Sequence, residues 1–244
     1  MKMRIDIIIP SFRSEGLTTA AIKSFEKNKS TFNFRYIVVE NSDDTSYKDK
    51  VEALNDNVLW VQNPTHLTNS YANAIAIERG LEHVQSELVF ICHNDVAAVD
   101  PSWMHFLVSK INEGNKLVGT VLDNIRINAV HISGLLTYTE IAKQVDIYPV
   151  QRDNKQVLDV GDSLTQYCSE REISFYCCRN TENNSVSPHE LDEKYSSFNV
   201  DRAVDDTGKV IFMHLGRGTH KNFGLYHKPS KILLGDWLSF LGEP

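Results

Sequence analysis

The sequence predicts an α/β fold with a mixed, mostly parallel sheet flanked by helices. Three features predict it. Short β-branched runs recur through the first half, segments with helical spacing separate them, and polar residues sit where each run ends. Such alternation is the mark of parallel strands with helices on both faces. The chain has 244 residues, enough for one sizeable core, and neither a repeat nor a linker divides it. We therefore expect one domain over 1–244, a ligand-binding half to about residue 120 and a second half over about 121–244.

Each element follows from its residues. Ile5-Asp6-Ile7-Ile8-Ile9, closed by Pro10, is a first strand. Leu17 to Phe25 places Leu17, Ala20, Ala21, Ser24 and Phe25 on one helical face. Tyr36 to Val39 and Val58 to Val61 are buried-strand patterns, and Ser70 to Val84 is a helix with Ala74, Ile77 and Leu81 on its stripe. Leu88 to Ile91 is the fourth strand. Trp103 to Ile111 is amphipathic, with Phe106, Leu107 and Ile111 inward. After Leu117 the pattern changes. Ile125 to Leu136 reads as extended, Tyr148 to Val160 as loop, and Ser163 to Arg171 as a helix capped by Asp162. A strand at Ile173–Tyr176, a surface loop over Asn180–Ser197, a last strand at Val210–Met213 and, over Leu233–Leu241, either a terminal helix or an interface segment complete the reading.

Composition narrows the function. Hydrophobic residues make up 41% and charged residues 23%, as in ordinary globular proteins. The formal charge of −7 provides no general basic field for gripping nucleic acid. No apolar run reaches the ~20 residues that span a bilayer. The opening Met1-Lys2-Met3-Arg4 leads into a strand containing Asp6, not into a signal peptide. Cys92, Cys168, Cys177 and Cys178 lack Cys-x-x-Cys spacing and read as reduced thiols, so a cytoplasmic setting is expected. In that setting the triplets Asn28-Lys29-Ser30 and Asn183-Asn184-Ser185 match the glycosylation acceptor pattern by chance.

Five places carry possible chemistry. Pro10-Ser11-Phe12-Arg13 ends the first strand and either faces a ligand or simply turns the chain. Glu40-Asn41-Ser42-Asp43-Asp44 ends the second, where short polar groups hold a ribose or base edge, or form an Asx turn. His93-Asn94-Asp95 follows the fourth strand directly. A carboxylate there can hold Mg²⁺ or Mn²⁺, which take oxygen ligands and share them with substrate phosphates, or begin an ordinary turn. Asp159-Val160-Gly161-Asp162 precedes a helix, where Asp162 serves as cap, as general base, or as both. Met213-His214-Leu215-Gly216-Arg217-Gly218-Thr219-His220-Lys221 joins a strand-ending His to a glycine-rich basic stretch suited to phosphate.

In this order the motifs resemble the inverting glycosyltransferases of family 2, which have the GT-A fold, a Rossmann-like nucleotide-binding architecture. Ile7 to Arg13, Val38 to Ser42, Asn63 with Asn73, Phe90 to Val96, Pro101-Ser102-Trp103, Gly161-Asp162 and Val210 to Thr219 carry the likeness. It is strongest over residues 4 to 120. The chain departs in three ways: His93 stands for the first acid of Asp-x-Asp, Gly161 for the acid before the base, and Pro64-Thr65-His66 follows Asn63 without a glycine. The resemblance implies transfer of a sugar from a nucleoside-diphosphate sugar to an acceptor hydroxyl, assisted by Mn²⁺ or Mg²⁺. It implies Asp162 as the base and Asp95 and His214 as metal ligands. Donor contacts would come from Pro10, Ser11, Arg13, Glu40, Asn41, Asn63, Asn73, Asn94, Arg217, Thr219 and Lys221. The acceptor is open between a glycan, a small molecule and a modified base. Three other readings compete: a nucleotidyltransferase, an inactive nucleotide-sugar or glycan-binding module, and a DNA-modifying glycosyltransferase.

Overall fold

The computed structural model describes residues 2–123, 125–183, 185–222 and 232–242. Its frame is a seven-stranded sheet. Strands β1 (Arg4–Ser11), β2 (Asn33–Glu40), β3 (Val58–Gln62) and β4 (Leu88–Cys92) lie side by side, all parallel, in the order β4-β1-β2-β3. Beyond β4 the Gly134–Tyr138 strand runs antiparallel, and two parallel strands, Leu117–Gly119 and Phe175–Cys177, complete the sheet. The mixed, mostly parallel α/β sheet expected from the sequence is present.

Alternation along β1 explains the two layers. Ile5, Ile7 and Ile9 face helix α1 (Glu15–Lys27) and the Trp103–Asn112 helix, with Phe25, Phe90 and Trp103 packed among them. The Phe25 and Trp103 rings stack with centroids 5.1 Å apart. Ile8 points the other way, with Ile37 and Ile91, into Ala74, Ile77 and Leu81 of the Asn69–Glu82 helix. Gly80 of that helix lies against Ile8, whose Cγ2 would be 2.6 Å from an added Cβ. Helix and sheet thus approach more closely than a side chain would allow.

A second, four-stranded sheet positions the chemistry. It runs in the order Arg179–Asn180, Asp201–Val204, Val210–His214 and β5 (Val96–Ala98), antiparallel throughout. Its inner face adds Ile211 and Phe212 to the α1 side of the core. Its outer face packs Ala97, Val204 and Met213 against Leu17 and Trp237 of the Leu234–Leu241 helix.

Several expectations change. Tyr148–Val160 is not all loop: Val150–Arg152 and Lys155–Leu158 form a hairpin, closed by Asp153 and Asn154 at φ 50° and 59°. Two successive left-handed residues make the turn whose twist suits a tight hairpin. Asp162 is the first residue of the Asp162–Glu170 helix rather than its cap. Gly161 holds the cap position at φ 82°, and the local backbone there favours glycine. The Ile173–Tyr176 strand is shifted to Phe175–Cys177, and only Ala129–Val130 and Gly134–Tyr138 are strands within the Ile125–Leu136 region and just beyond it. Asn28 is a buried structural residue whose amide donates to Ser24 O and Ala98 O, while Asn184 lies outside the described residues. No helix among the described residues is long and apolar enough to cross a membrane.

Candidate active site

Strand pairing brings Asp95 to His214. Val96, Ala97 and Ala98 pair with His214, Met213 and Phe212, and Leu215 N–H donates to Asp95 O at 2.9 Å. Asp95 Oδ1 then lies 3.4 Å from His214 Nε2 and 3.8 Å from His93 Nδ1. Asp95 Oδ2 accepts Gly218 N–H at 2.8 Å. A Cβ on Gly218 would come within 2.3 Å of Asp95 Cβ, so only glycine lets the Gly218–Asn222 helix sit so close.

Asp201 stands directly opposite His214 in the antiparallel ladder, with Oδ2 3.2 Å from His214 Nδ1. A carboxylate behind one ring nitrogen fixes the imidazole and raises the ligand strength of the other. The His131 ring lies near both His93 and His214, with centroids 5.5 Å and 6.0 Å away, and its Nδ1 is 2.9 Å from Ser133 Oγ. Sequence reasoning passed over Asp201 and His131. The signal for Asp201 was a hairpin, since Asp205-Asp206-Thr207-Gly208 is turn-forming and aligns Asp201 with His214.

The residues present fit a divalent cation. Donor atoms of His93, Asp95 and His214 all lie within 4.8 Å of one another. His93 Nε2 is buried without a hydrogen bond, a costly state for a polar atom unless a ligand completes it, while His214 is buried between Asp201 and Asp95. Burial opposes charge on His214, but Asp95 and Asp201 outweigh it and raise its pKa. Burial also opposes charge on Asp95, yet His214, His93 and the Gly218 N–H hold the carboxyl well below its usual range. Burial lowers His93 to about 4, with Asp95 partly opposing. Asp201→Asn should therefore weaken Mn²⁺ binding by roughly 10–100-fold. Calorimetric titration of the metal-stripped protein checks this, and an unchanged affinity would remove Asp201 from the orienting role.

The expected base sits in a second polar cluster. Asp162 is 2% exposed and its Oδ2 accepts from Asp159 N at 2.7 Å and Arg126 Nε at 3.3 Å. Arg126 Nη2 also holds Asp159 Oδ2 at 2.9 Å. Burial raises the Asp162 pKa, and the Asp159 N–H and Arg126 only partly offset it.

The donor-side residues form a braced rim. Glu40 is fully buried and accepts from Arg13 N–H, Ser42 N–H, Ser42 Oγ and Tyr47 OH. Ser11 Oγ meets Thr18 Oγ1 and Tyr47 OH at 3.0 and 2.9 Å, while Pro10 pairs in register with Val39. Asn41 donates to Ala72 O and accepts from Asn63, both at 2.8 Å. Asn94 Nδ2 reaches Thr18 Oγ1 at 3.4 Å. Asn73 is half-buried in the second turn of its helix. Arg13, at φ 48°, pairs with exposed Asp43 at 2.6 Å. Arg217 is exposed at φ 60°, Thr219 is half-buried, and buried Lys221 donates to Leu215 O at 3.4 Å. Much of the polar chemistry at the strand ends thus holds the loops themselves in place.

A mostly parallel sheet flanked by helices and extended by antiparallel strands is the architecture of the GT-A fold. The glycosyl transferase family 2 profile matches residues 6–168, and the chain belongs to that family. No curated protein matches the sequence. Among solved structures, glucosyl-3-phosphoglycerate synthase from Mycobacterium tuberculosis, in complex with Mn²⁺, uridine-diphosphate-glucose and glycerol 3-phosphate, is similar at a TM-score of 0.50. Identity is 14%, over 72% of this chain and 70% of that one. The mannosyltransferase PcManGT from Pyrobaculum calidifontis, in complex with GDP-Man and Mn²⁺, gives 0.48 and 13%, over 59% of this chain and 47% of that one. S. aureus TarS 1-349 gives 0.45 and 17%, over 61% and 50%. The match spans about half the length of the last two.

Proposed function

We propose that the chain transfers a sugar from a nucleoside-diphosphate sugar to an acceptor hydroxyl with inversion at the anomeric carbon. The observation that carries this reading is the meeting of Asp95 and His214 through a three-residue strand pairing, with His214 backed by Asp201. Asp95 and His214 would hold a divalent cation. Such an ion neutralises charge developing on the departing diphosphate. Arg217, Thr219 and Lys221 follow His214 in the chain and would flank the same phosphates. The rim built on Ser11, Arg13, Glu40, Asn41, Asn63 and Asn73 would hold the nucleoside, with Asn94 bracing the Asp95 loop.

Asp162 would accept the acceptor's hydroxyl proton. Inversion requires the base on the face of the sugar opposite the leaving group, as in inverting glycosidases. Arg126 and the Asp159 N–H aim its Oδ2. Burial keeps its basicity above that of an exposed carboxylate, which suits proton uptake near neutral pH.

A thermal-shift panel of UDP- and GDP-sugars, each with and without Mn²⁺, tests the reading. One donor should raise the melting temperature more with Mn²⁺ than without, since binding to the folded state alone stabilises it. That donor should then yield free nucleoside diphosphate on turnover. If no donor shifts the transition in either condition, the reading fails.

A further inference from the structure

We propose that His93 is a third protein ligand to the cation, making a site of two imidazoles and one carboxylate that selects a transition-metal ion over Mg²⁺. The inference rests on the glycosyltransferase reading only for the cation's use; the ligand set itself is read from the side chains. His93 precedes Asp95 by two residues, at the point where β4 has ended, and its main-chain N–H is held by Ser133 O. Its ring faces the Asp95 carboxylate and the His214 ring, with centroids of the two imidazoles 5.6 Å apart.

Three observations point to a ligand rather than to packing. The donor atoms of His93, Asp95 and His214 lie within 4.8 Å of one another. Ligands about 2.0–2.2 Å from one ion lie at most about 4.4 Å apart, so only a small contraction would seat it. His93 Nε2 is buried yet makes no hydrogen bond, and His214 Nε2 is buried facing Asp95 Oδ1 at 3.4 Å, with Asp201 behind the other nitrogen. Finally, the Asp95 carboxylate cannot turn away freely, because Gly218 N–H holds Oδ2 while Oδ1 faces both rings.

Ligand chemistry then sets the preference. Mg²⁺ favours oxygen and parts reluctantly with its waters, Mn²⁺ accepts nitrogen alongside oxygen, and imidazole suits Fe²⁺, Co²⁺ and Zn²⁺ better. With His93 in place of an acid, the site offers one anionic oxygen and two neutral nitrogens. That is a poor cage for Mg²⁺ and a good one for a transition ion.

The test uses the full-length, metal-stripped protein, titrated calorimetrically with Mg²⁺, Mn²⁺ and Co²⁺. Co²⁺ binding is also followed by its visible absorption bands. Wild type should bind Co²⁺ and Mn²⁺ at least about 100-fold more tightly than Mg²⁺. His93→Asn should lose about 10–100-fold in Co²⁺ affinity and change the Co²⁺ spectrum, with little effect on Mg²⁺. His93→Asp should narrow the gap by improving Mg²⁺ binding. Equal wild-type affinities for Mg²⁺ and Mn²⁺ would overturn the proposal, and this needs no variant. A Co²⁺ spectrum unaltered in a folded His93→Asn protein would also overturn it. UDP and GDP binding, measured separately with Mn²⁺, isolates the glycosyltransferase reading. Nucleotide binding that survives an indifferent His93→Asn removes only the third ligand. A His93-dependent Co²⁺ site without nucleotide binding removes only the donor.

Discussion

Asp162→Asn should lower turnover by about 10²–10⁴-fold while the protein still binds donor and stays folded. The first effect follows from losing the group that would take the hydroxyl proton. Retained folding follows from its ionisation. Burial makes the charged carboxylate less favourable in the fold than in the unfolded chain, so its folded pKa is raised. A raised value means that the group favours the folded state at low pH, and that this contribution is lost as pH rises through the folded pKa. At neutral pH the neutral amide therefore removes an unfavourable charge, and Arg126 keeps its 2.9 Å contact with Asp159. The melting temperature should not fall. In wild type the acid limb of the rate profile should lie above the ordinary carboxylate range, because protonated Asp162 cannot act as a base. Turnover at the wild-type level, or a melting temperature that drops along with activity, would take the role away from Asp162.

Asp95→Asn should abolish the stabilisation that Mn²⁺ gives. At a hundredfold excess over its dissociation constant, a ligand bound only by the folded state contributes about 2.7 kcal/mol. For a chain of this size that is a rise in melting temperature of roughly 5–10 °C. The amide keeps an oxygen for Gly218 N–H but supplies no charge to the cation, and both imidazoles lose their anionic neighbour. Differential scanning calorimetry with and without Mn²⁺ reads the outcome. A variant that gains as much from Mn²⁺ as wild type does would place the ion elsewhere.

The sequence made the parallel half of the fold plain and left the antiparallel half obscure. Strands β1, β2 and β4 are buried on both faces, so each carries a run of consecutive apolar residues, Ile7–Ile9, Tyr36–Val39 and Leu88–Cys92, and the helices between them keep a clear stripe. The second sheet uses strands of two to five residues. One of them carries Arg202, which looks exposed in sequence. In the fold it is buried and donates to Tyr195 O and Phe198 O, each at 2.7 Å. The Gln151–Lys155 stretch hid its hairpin because every residue is polar, although Asp153-Asn154 is a turn signature.

The site divides in the same way. Asp95 and His214 could be anticipated because each ends a recognisable strand. His93 could be seen as a departure from an acidic pattern, but its place beside Asp95 Oδ1 depends on side-chain direction. Asp201 and His131 join the cluster only through chain segments far from Asp95 in sequence. The profile match ends at residue 168, so His214 and Asp201 lie beyond it.

The pairing of Val96–Ala98 with Phe212–His214 has a consequence for how such a chain can vary. Everything between these two short stretches leaves and returns through one hairpin-like stem. Insertions or deletions confined to the loops of residues 139–200, outside the Asp159–Asp162 cluster and the Phe175–Cys177 and Arg179–Asn180 strands, can reshape the surface there without moving either ligand. A slip of one residue inside the stem is different: side chains alternate across a ladder, so His214 would turn to the opposite face and Met213 would meet Asp95. Lengthening the loops should be tolerated, and a single residue inserted between Val210 and His214 should not.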